Sequence, residues 1–420
     1  MWLYLYKIQY LDYVMYKRSV ENILKEAMNI SPVVLLSGAR QVGKSTLSLS
    51  LDNEYRVFDN LTEREAATTD PIGYISSLPK PITLDEIQKV PELLEGIKID
   101  VDKNRVNSNF LLTGSANVLD MKKAKDTLAG RIIEILMWPL SQKELQNKSN
   151  DNIIDMLFDF EEKKIKPNKI SYEHILKAII NGGYPEIHKI ESTRGKSLWF
   201  NSYISTYVER DIRDVGELRD ISAFIRFFNI IAPRSCGLVN KSDLASDATL
   251  SESTVNNYLS MLEMIYQISL LKPYSSNISK RFIKSSKLFM TDSGVFCHLL
   301  GIRSVGELIN SSHKGDVIET FVYSELLKHM SYSDVQAQIY HYRTSDKKEI
   351  DFILQKGDNI IAIEIKSSKT IKKDAFKHII DFQVKESISV LGIVFYTGDT
   401  ILSFSNGEYK RYALPLNLFF

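Results

Sequence analysis

The chain has 420 residues and a net charge of +1, and a chain of this length predicts roughly two to four domains. Its 44% apolar and 25% charged residues are ordinary for a globular protein, and its near-neutral charge favours no particular class of partner. Cys236 and Cys297 fit neither a disulfide framework nor a zinc-ligand pattern, which excludes a disulfide scaffold and suits a reducing compartment.

The first residues, MWLYLYKIQYLDYVM, are apolar and aromatic, but Lys7 and Asp12 interrupt them. A basic start and a small-residue cleavage site are missing, so we expect neither a signal peptide nor a membrane span. A second interpretation is that translation begins at Met15, where the first segment typical of folded structure starts. No other apolar run has spanning length, and we therefore expect a cytoplasmic protein without a membrane partner.

A glycine-containing loop follows the apolar run PVVLLS. Residues 37–46 read SGARQVGKST and fit the spacing G-x-x-x-x-G-K-[ST]. Glycines at these positions let backbone N–H groups surround phosphate oxygens, and we expect Lys44 to reach the β- and γ-phosphates and Ser45 to ligate Mg²⁺. The strand pattern before the loop and the helical pattern after it are in the order that this function requires. The residues expected to contact nucleotide are Gly38, Ala39, Arg40, Gln41, Val42, Gly43, Lys44, Ser45 and Thr46.

Two acidic residues end a short apolar strand in the segment PITLDEIQ. We expect Asp85 to hold Mg²⁺ through water and Glu86 to polarise the attacking water as general base. The alternative is an acidic turn without a catalytic role. The segment NKSD of residues 240–243 matches a guanine-reading motif, but it follows no strand of that fold. Adenine is therefore the better choice of base, and the expected cofactors are ATP and Mg²⁺.

The segment NFLLTGSAN is typical of an apolar strand that ends in small polar residues. In the additional-strand P-loop ATPases such a strand lies between the loop strand and the Asp-Glu strand, with its tip at the γ-phosphate. Ser115 is our first choice for sensing that phosphate, with Thr113 and Asn117 behind it. Arg131 and Arg210 are candidates for the positive charge that hydrolysis needs at the γ-phosphate, and structural ion pairs are the alternative for both.

The sequence of residues 141–235 shows patterns typical of helices. The pattern SYEHILKAII places Ile175, Leu176, Ile179 and Ile180 on one helix face. The segment NGGYPEI predicts a sharp turn between helices. We expect a helical lid in this part of the chain.

Residues 236–305 have the layout of a winged helix. Two helical segments, KSDLASDA with Ser242 as its expected N-cap and ESTVNNYLSMLEMI, precede strands in YQISLLKPY and KLFMTD. As a recognition helix, the second would present to DNA the side chains of Ser253, Thr254, Asn256 and Asn257. The hairpin would bring to phosphates the basic residues Lys272, Lys280, Arg281, Lys284 and Lys287. The alternative is a packing module between two other domains with a solvated basic hairpin.

A second set of ionisable residues lies near the end of the chain. In IAIEIKSS, strict alternation puts Glu364 and Lys366 on one face of a strand, about 7 Å apart. The segment KKEIDFIL places Asp351 on the preceding strand, and the helical segment GDVIETFVYSELLKHM carries Glu319. Asp351 and Glu364 could hold Mg²⁺, and Glu319 could complete its ligands, while Lys366 could stabilise the attacking water or the phosphate. This is the layout of the PD-(D/E)xK nuclease fold.

In this order the motifs resemble those of bacterial and archaeal AAA+ ATPases that carry a winged helix and a C-terminal nuclease-like domain of unassigned function. The matching segments are LLSGARQVGKST, TLDEIQ, FLLTGSAN, LAGRI, GGYPE, YVERDI, STVNNYLSMLE, KLFMTDSGV, YHYRTSDKKEIDFIL and IAIEIKSS. The resemblance implies an α/β fold with a P-loop AAA+ ATPase core at 15–140, a helical lid at 141–235, a winged-helix domain at 236–305 and a C-terminal restriction-endonuclease-like α/β domain at 306–420. It also implies assembly into a homo-oligomer and the nucleotide, metal and nuclease-like roles given above.

Two functions are compatible with these motifs. In the first, ATP hydrolysis moves the lid and the winged helix and so positions a metal-dependent nuclease on DNA. In the second, ATP sets a conformation or an assembly, and the C-terminal domain docks nucleic acid or protein without cutting it.

Overall fold

The computed structural model describes residues 16–114, 127–208, 212, 220–275, 285–386 and 389–420. Outside these ranges lie the expected site residues Ser115 and Arg210, together with Asn117, Lys280, Arg281 and Lys284. Among the described residues, no helix combines the length and the apolar content that a bilayer crossing requires.

The N-terminal part of the chain is built on a five-stranded parallel sheet with the spatial order β2-β3-β4-β1-β5. Strands β1 to β5 are, in turn, Val33–Ser37, Glu54–Val57, Ile82–Asp85, Phe110–Gly114 and Ile132–Leu136. Every residue of β1, β3 and β4 is buried, as is typical of parallel strands covered on both faces. The predicted position of the NFLLTG strand, between the loop strand and the Asp-Glu strand, is confirmed.

Helices pack on both faces of this sheet. Helices α1 to α5 are Val20–Ile30, Lys44–Ser50, Leu61–Thr69, Pro71–Ser77 and Leu93–Lys103. Side chains alternate along β1, so Val33 and Leu35 contact one apolar cluster. Val34 and Leu36 contact the other. Because all five strands are parallel, their carboxyl ends lie at the same end of the sheet. That end carries both the glycine loop and the acidic pair.

Short helices follow the sheet in the region predicted to form a lid. Helices α6 to α10 are Gln142–Leu145, Ile153–Phe158, Tyr172–Asn181, Thr193–Ser202 and Ile221–Ile231. Helix α8 buries Ile175, Leu176 and Ile179, as its periodicity predicts. Directly after α8, the Gly183 N–H donates to Asp292 Oδ2 at 2.8 Å. The turn NGGYPEI is therefore tied to the segment that precedes the C-terminal helices.

Two helices and a hairpin form the region predicted to be a winged helix. Elements α11, α12, β6 and β7 are Lys241–Ala248, Glu252–Met264, Ile268–Leu271 and Lys287–Met290, and β6 and β7 pair antiparallel. The apolar side chains of α12 and of the residue that follows it are buried at Val255, Tyr258, Leu259, Leu262 and Ile265. The N-cap of α11 is Asn240 and not the expected Ser242, because the helix already includes Lys241.

A mixed six-stranded sheet with the order β12-β13-β11-β10-β9-β8 forms the C-terminal part. Strands β8 to β13 are Gln338–Arg343, Glu349–Lys356, Asn359–Lys366, Val390–Tyr396, Leu402–Ser403 and Arg411–Pro415. Helices α13 to α16 are Ser293–Leu299, Val305–Asn310, Lys314–Ser331 and Lys377–Lys385. The hairpin reaches the edge of this sheet, since the Tyr274 N–H donates to the His341 carbonyl oxygen at 2.6 Å. The His341 N–H in turn donates to the Lys272 carbonyl oxygen at 3.0 Å.

Helix α15 carries a buried histidine, His329. Burial lowers the pKa of this ring to about 3, and the nearby charges of Lys143 and Lys328 act in the same direction. In the unfolded chain the ring takes up a proton below about pH 6.5, so its contribution to stability is present above that pH and is lost as the pH falls towards 3. Between pH 7 and pH 5 we expect the wild type to lose about 2 kcal/mol more unfolding free energy than His329→Leu. Denaturant unfolding at both pH values measures this difference.

The matched control is His174→Leu, which changes an exposed histidine. It should lose as much stability on acidification as the wild type does. Equal losses in the wild type and in His329→Leu would contradict the assignment of acid sensitivity to the buried ring.

Candidate functional site

The loop between β1 and α2 holds three residues at positive φ. These are Gly38 at 145°, Gln41 at 64° and Gly43 at 100°. At Gly38 an added Cβ would lie 2.2 Å from the Met137 carbonyl oxygen, so only glycine fits between the loop and the end of β5. Successive backbone N–H groups turned in this way form a concave surface that suits an anion.

Lys44 lies at the start of α2, and its ammonium is held by the loop. Its Nζ donates to the carbonyl oxygens of Gly38 and Ala39 at 2.7 and 2.8 Å. Ala39 and Val42 bury their side chains in the core, so these two residues can offer a ligand only backbone groups. The half-buried or exposed side chains of the loop are those of Arg40, Gln41, Ser45 and Thr46.

Asp85 ends β3, and hydroxyl groups surround its buried carboxylate. Oδ1 accepts a hydrogen bond from Thr113 Oγ1 and lies 3.4 Å from Ser45 Oγ. Oδ2 accepts from the Tyr55 hydroxyl. Because the oxygen atoms of Ser45 and Asp85 converge beside the loop, they fit the hydroxyl and carboxylate that hold Mg²⁺ next to a bound triphosphate.

Glu86 follows Asp85 in a left-handed conformation, with φ of 60°. Its N–H donates to Thr113 Oγ1 at 3.2 Å, so one threonine hydroxyl contacts both acidic residues. Its carboxylate accepts from Gln88 Nε2 and lies 3.9 Å from the Arg40 guanidinium. Unusual backbone conformations of this kind persist where surrounding contacts hold them, and they are enriched at functional sites. The left-handed turn brings the Glu86 carboxylate to the loop.

A buried arginine that no motif marks, Arg18, contacts the loop from the other side. It donates to the carbonyl oxygens of Val42 and Trp138 at 2.7 Å each. Its Nε donates to Glu144 Oε1 at 3.1 Å, and Glu144 also accepts from the Ser141 N–H at 2.8 Å. The partners of Arg18 are far apart in the chain, so sequence spacing gave no signal for this residue.

Arg131 lies at the amino ends of the strands, whereas the loop lies at their carboxyl ends. It precedes the first residue of β5, whereas the loop follows the last residue of the parallel strand β1. Its guanidinium donates to both carboxylate oxygens of Asp102, at 2.6 and 2.9 Å. The structure therefore does not bring Arg131 to the nucleotide loop of its own chain, and the ion-pair alternative describes its contacts. The other two residues expected at the γ-phosphate, Ser115 and Arg210, lie outside the described residues.

The C-terminal part brings four sequence-predicted residues together: Glu319 on α15, Asp351 on β9, and Glu364 and Lys366 on β10. Lys366 Nζ lies 3.0 Å from Glu364 Oε2. Asp351 Oδ2 accepts from the Ile365 N–H at 2.7 Å. Burial raises the pKa of Glu364 to about 8, and the charge of Asp351 acts in the same direction. We call Glu319, Glu349, Asp351 and Glu364 the acidic cluster.

Lys287, one of the basic residues that the sequence analysis assigned to the hairpin, lies inside the acidic cluster. Lys287 is only 2% exposed, and its Nζ lies 2.7 Å from Glu319 Oε1 and 3.1 Å from Glu349 Oε1. Asp351 Oδ1 is 3.8 Å away. Burial opposes the charged form, yet Glu319 and the other carboxylates raise the pKa of Lys287 above its usual value. The predicted contact of Lys287 with nucleic-acid phosphates is wrong, because the side chain enters the protein.

The expected metal role of Asp351 and Glu364 finds no support in this geometry. Within the described ranges, no group of three or more His, Cys, Asp or Glu side chains is arranged to hold a metal ion. The Lys287 ammonium already contacts oxygens of Glu319 and Asp351. A divalent ion bound there would compete with it.

Three family models match the chain. Residues 31–146 match an AAA domain. Residues 172–305 and 314–419 match two domains of unknown function, DUF8612 and DUF4143. The chain therefore contains an AAA-like P-loop ATPase domain, and the models that match its remaining parts carry no functional description.

Similar proteins include an uncharacterized protein of Mycobacterium tuberculosis, which is 26% identical over 373 residues, or 88% of this chain and 78% of that protein. An uncharacterized protein of Haemophilus influenzae is 27% identical over 295 residues, or 67% of this chain and 64% of that protein. Among solved structures, the Walker-type ATPase of Pyrococcus abyssi is 18% identical and aligns over 68% of this chain and 96% of that one, with a TM-score of 0.41.

The packing of Gly38 predicts that this position tolerates no side chain. In Gly38→Ala the new Cβ meets the Met137 carbonyl oxygen at a φ of 145°. We expect the unfolding free energy to fall by at least about 3 kcal/mol and ATP binding to be lost, because the loop cannot keep its conformation. Thermal unfolding and calorimetric titration with ATP measure the two effects.

Gly315→Ala is the control, since a Cβ at Gly315 meets no atom within 4 Å. It should keep both properties of the wild type. A Gly38→Ala protein with unchanged stability and ATP affinity would show that the loop is not packed against β5 in this way.

Proposed function

We propose that this chain is an Mg²⁺-dependent ATPase whose nucleotide state changes the arrangement of the regions that follow the ATPase domain. The observation that carries the proposal is the convergence of the Ser45 hydroxyl and the Asp85 carboxylate, 3.4 Å apart, beside the glycine loop. The AAA-domain match over residues 31–146 supports it.

Each element of the site has a separate part in binding. The main-chain N–H groups of the loop would bind phosphate oxygens, since Gly38, Gln41 and Gly43 turn the backbone into a concave surface. Lys44 would exchange its loop carbonyls for the β- and γ-phosphates. Ser45 and Asp85 would hold Mg²⁺, which neutralises negative charge on the phosphate oxygens.

Glu86 would act as the general base that takes a proton from the attacking water. Its neighbours Arg40 and Gln88 hold the carboxylate beside the loop. Thr113 contacts both Asp85 and the Glu86 backbone, so the metal ligand and the base keep a fixed relative position. Fixed geometry of this kind is what proton transfer in a catalytic site requires.

Polar contacts lead from the segment after β5 to helix α15. The Gln142 N–H donates to Glu325 Oε2 at 2.9 Å, and Lys328 Nζ donates to the Leu140 carbonyl oxygen at 3.0 Å. The same segment is held by Arg18, which also contacts the loop. In our proposal a shift of the loop on nucleotide binding displaces Arg18 and the segment after β5, and α15 follows.

Nucleic-acid binding is the second candidate function. Helix α12 buries its apolar face but leaves Ser253 and Asn257 exposed and Thr254 and Asn256 half-buried. Polar side chains on an exposed helix face can donate hydrogen bonds to phosphates and base edges. We therefore propose DNA as a partner of α12. DNA cleavage is not part of the proposal, because Lys287 occupies the acidic cluster.

A homo-oligomer belongs to the same proposal. Arg131 lies at the amino ends of the strands, away from the loop at their carboxyl ends. It could therefore contact a γ-phosphate only in a neighbouring copy. Its ion pair with Asp102 would then have to open.

The assigned roles predict different defects for two substitutions in the nucleotide site. Lys44→Ala should abolish ATP binding, because the loop loses its cation. Glu86→Gln should bind ATP with Mg²⁺ normally but lower turnover by at least about 100-fold, the lower limit for loss of a general base. Calorimetric titration and phosphate release measure binding and turnover separately.

Arg131→Gln tests the assembly, and it should bind ATP as the wild type does, because Arg131 lies away from the loop of its own chain. Unchanged turnover would show that ATP hydrolysis does not need Arg131 from a neighbouring copy. Lost turnover with intact ATP binding shows that a second copy supplies it. Full turnover in Lys44→Ala would contradict the assignment of the site itself.

The exposed face of α12 predicts that new negative charge there weakens DNA binding. The double variant Ser253→Glu/Asn257→Asp should lower affinity for duplex DNA about tenfold or more, because the added carboxylates repel phosphates. Fluorescence anisotropy at one fixed salt concentration measures this. The control is Thr68→Glu/Thr69→Asp, which adds the same charge to exposed positions of α3. Equal affinities in all three proteins would rule out α12 as the DNA contact.

A further inference from the structure

The backbone of strand β7 holds Lys287 in the acidic cluster. Lys287 pairs with Leu271 on β6 and with Leu238 in an isolated bridge on its other side. The chain after β6 is bonded to β8 through Tyr274 and His341. Strand pairing on both sides therefore fixes the backbone of Lys287.

The surroundings of this ammonium are those of a cation site. Glu319 arrives from α15, while Glu349 and Asp351 lie on the same face of β9. The Glu319 and Asp351 side chains are only 14% and 15% exposed, so their charges are largely withdrawn from water. Buried carboxylates are costly unless a cation and hydrogen bonds compensate them. Lys287 supplies the cation, and the Ile365 N–H bonds the second oxygen of Asp351.

A divalent metal and the ammonium cannot use these oxygens at the same time. Mg²⁺ binds oxygen ligands at about 2.0–2.1 Å in a strict octahedral geometry. Lys287 Nζ is already 2.7 Å from Glu319 and 3.1 Å from Glu349, so a metal on the same oxygens would lie only a few ångströms from a second cation. Repulsion between cations at that separation is strong in a site with little water. The residues do not fit a resident divalent metal while Lys287 is in place.

We infer that the Lys287 ammonium is the resident cation of the acidic cluster, and that the cluster docks the β6–β7 hairpin on the C-terminal sheet instead of holding a catalytic metal. The inference does not depend on the proposed ATPase function, because none of its residues belongs to the nucleotide loop. Glu319, Glu349 and Asp351 are then docking residues. Glu364, the fourth member of the acidic cluster, has a separate partner, since its Oε2 lies 3.0 Å from Lys366 Nζ.

Manganese binding to the full chain without nucleotide tests this inference. Mn²⁺ titrations followed by electron paramagnetic resonance compare the wild type, Asp351→Asn, Lys287→Met and Lys287→Met/Asp351→Asn. Methionine keeps the apolar stem of Lys287 and removes its charge. We expect the wild type and Asp351→Asn to bind the same amount of Mn²⁺. Lys287→Met should gain one ion, bound at least about tenfold more tightly than in the wild type, and the added Asp351→Asn should remove it.

Thermal unfolding provides a readout that does not count ions. Lys287→Met should unfold roughly 5–10 °C below the wild type, because three carboxylates lose their shared counter-charge. Mn²⁺ should recover most of that loss by taking the place of the ammonium. Lys241→Met, at an exposed lysine, should show neither the loss nor the recovery.

Two outcomes would overturn the inference. One is a Mn²⁺ ion that the wild type binds and Asp351→Asn does not. The other is a folded Lys287→Met that gains no ion dependent on Asp351. If Lys287→Met does not fold, the wild type and Asp351→Asn decide alone: equal Mn²⁺ binding supports the inference, and a loss in Asp351→Asn overturns it.

Discussion

One buried guanidinium, that of Arg18, joins three parts of the ATPase domain. It binds the Val42 carbonyl oxygen in the glycine loop, the Trp138 carbonyl oxygen after β5 and the carboxylate of Glu144 at the start of α6. A charge buried in this way is tolerated only where fixed partners compensate it. Since the loop and the segment after β5 share this side chain, a displacement of either one changes the hydrogen bonds of the other.

The segment after β5 also reaches the helix that carries Glu319. Trp138 Nε1 donates to Ser331 Oγ at 2.8 Å, and the buried pair of Glu325 and Lys328 binds the backbone a few residues later. The nucleotide loop and the acidic cluster are therefore connected through contacts that are mostly buried. In the proposed function such contacts would link ATP binding to the docking of the hairpin, because buried charged groups cannot exchange partners with water at low cost.

Sequence patterns predicted the features that depend on local spacing. The loop and the acidic pair were recognisable from short motifs, and Ser45 and Asp85, both expected to hold Mg²⁺, lie 3.4 Å apart in the structure. Contacts between distant strands were not predictable in this way. Tyr55 reaches Asp85 because β2 lies beside β3, and Lys287 is buried because its hairpin meets a sheet formed later in the chain. The motif around Arg131 does not reveal that this residue precedes β5 and therefore lies away from the nucleotide loop of its own chain.

Strand β8 forms one margin of the C-terminal sheet. An uncovered outer strand offers its free N–H and C=O groups to any extended polypeptide and so favours aggregation. Here Lys272 and Tyr274 bond the backbone of His341 on that strand, while the opposite margin, β12, has only 2 residues. Both outer strands of the sheet are therefore poor sites for strand addition. If the hairpin left β8, the free backbone groups of β8 could pair with a strand of a second chain.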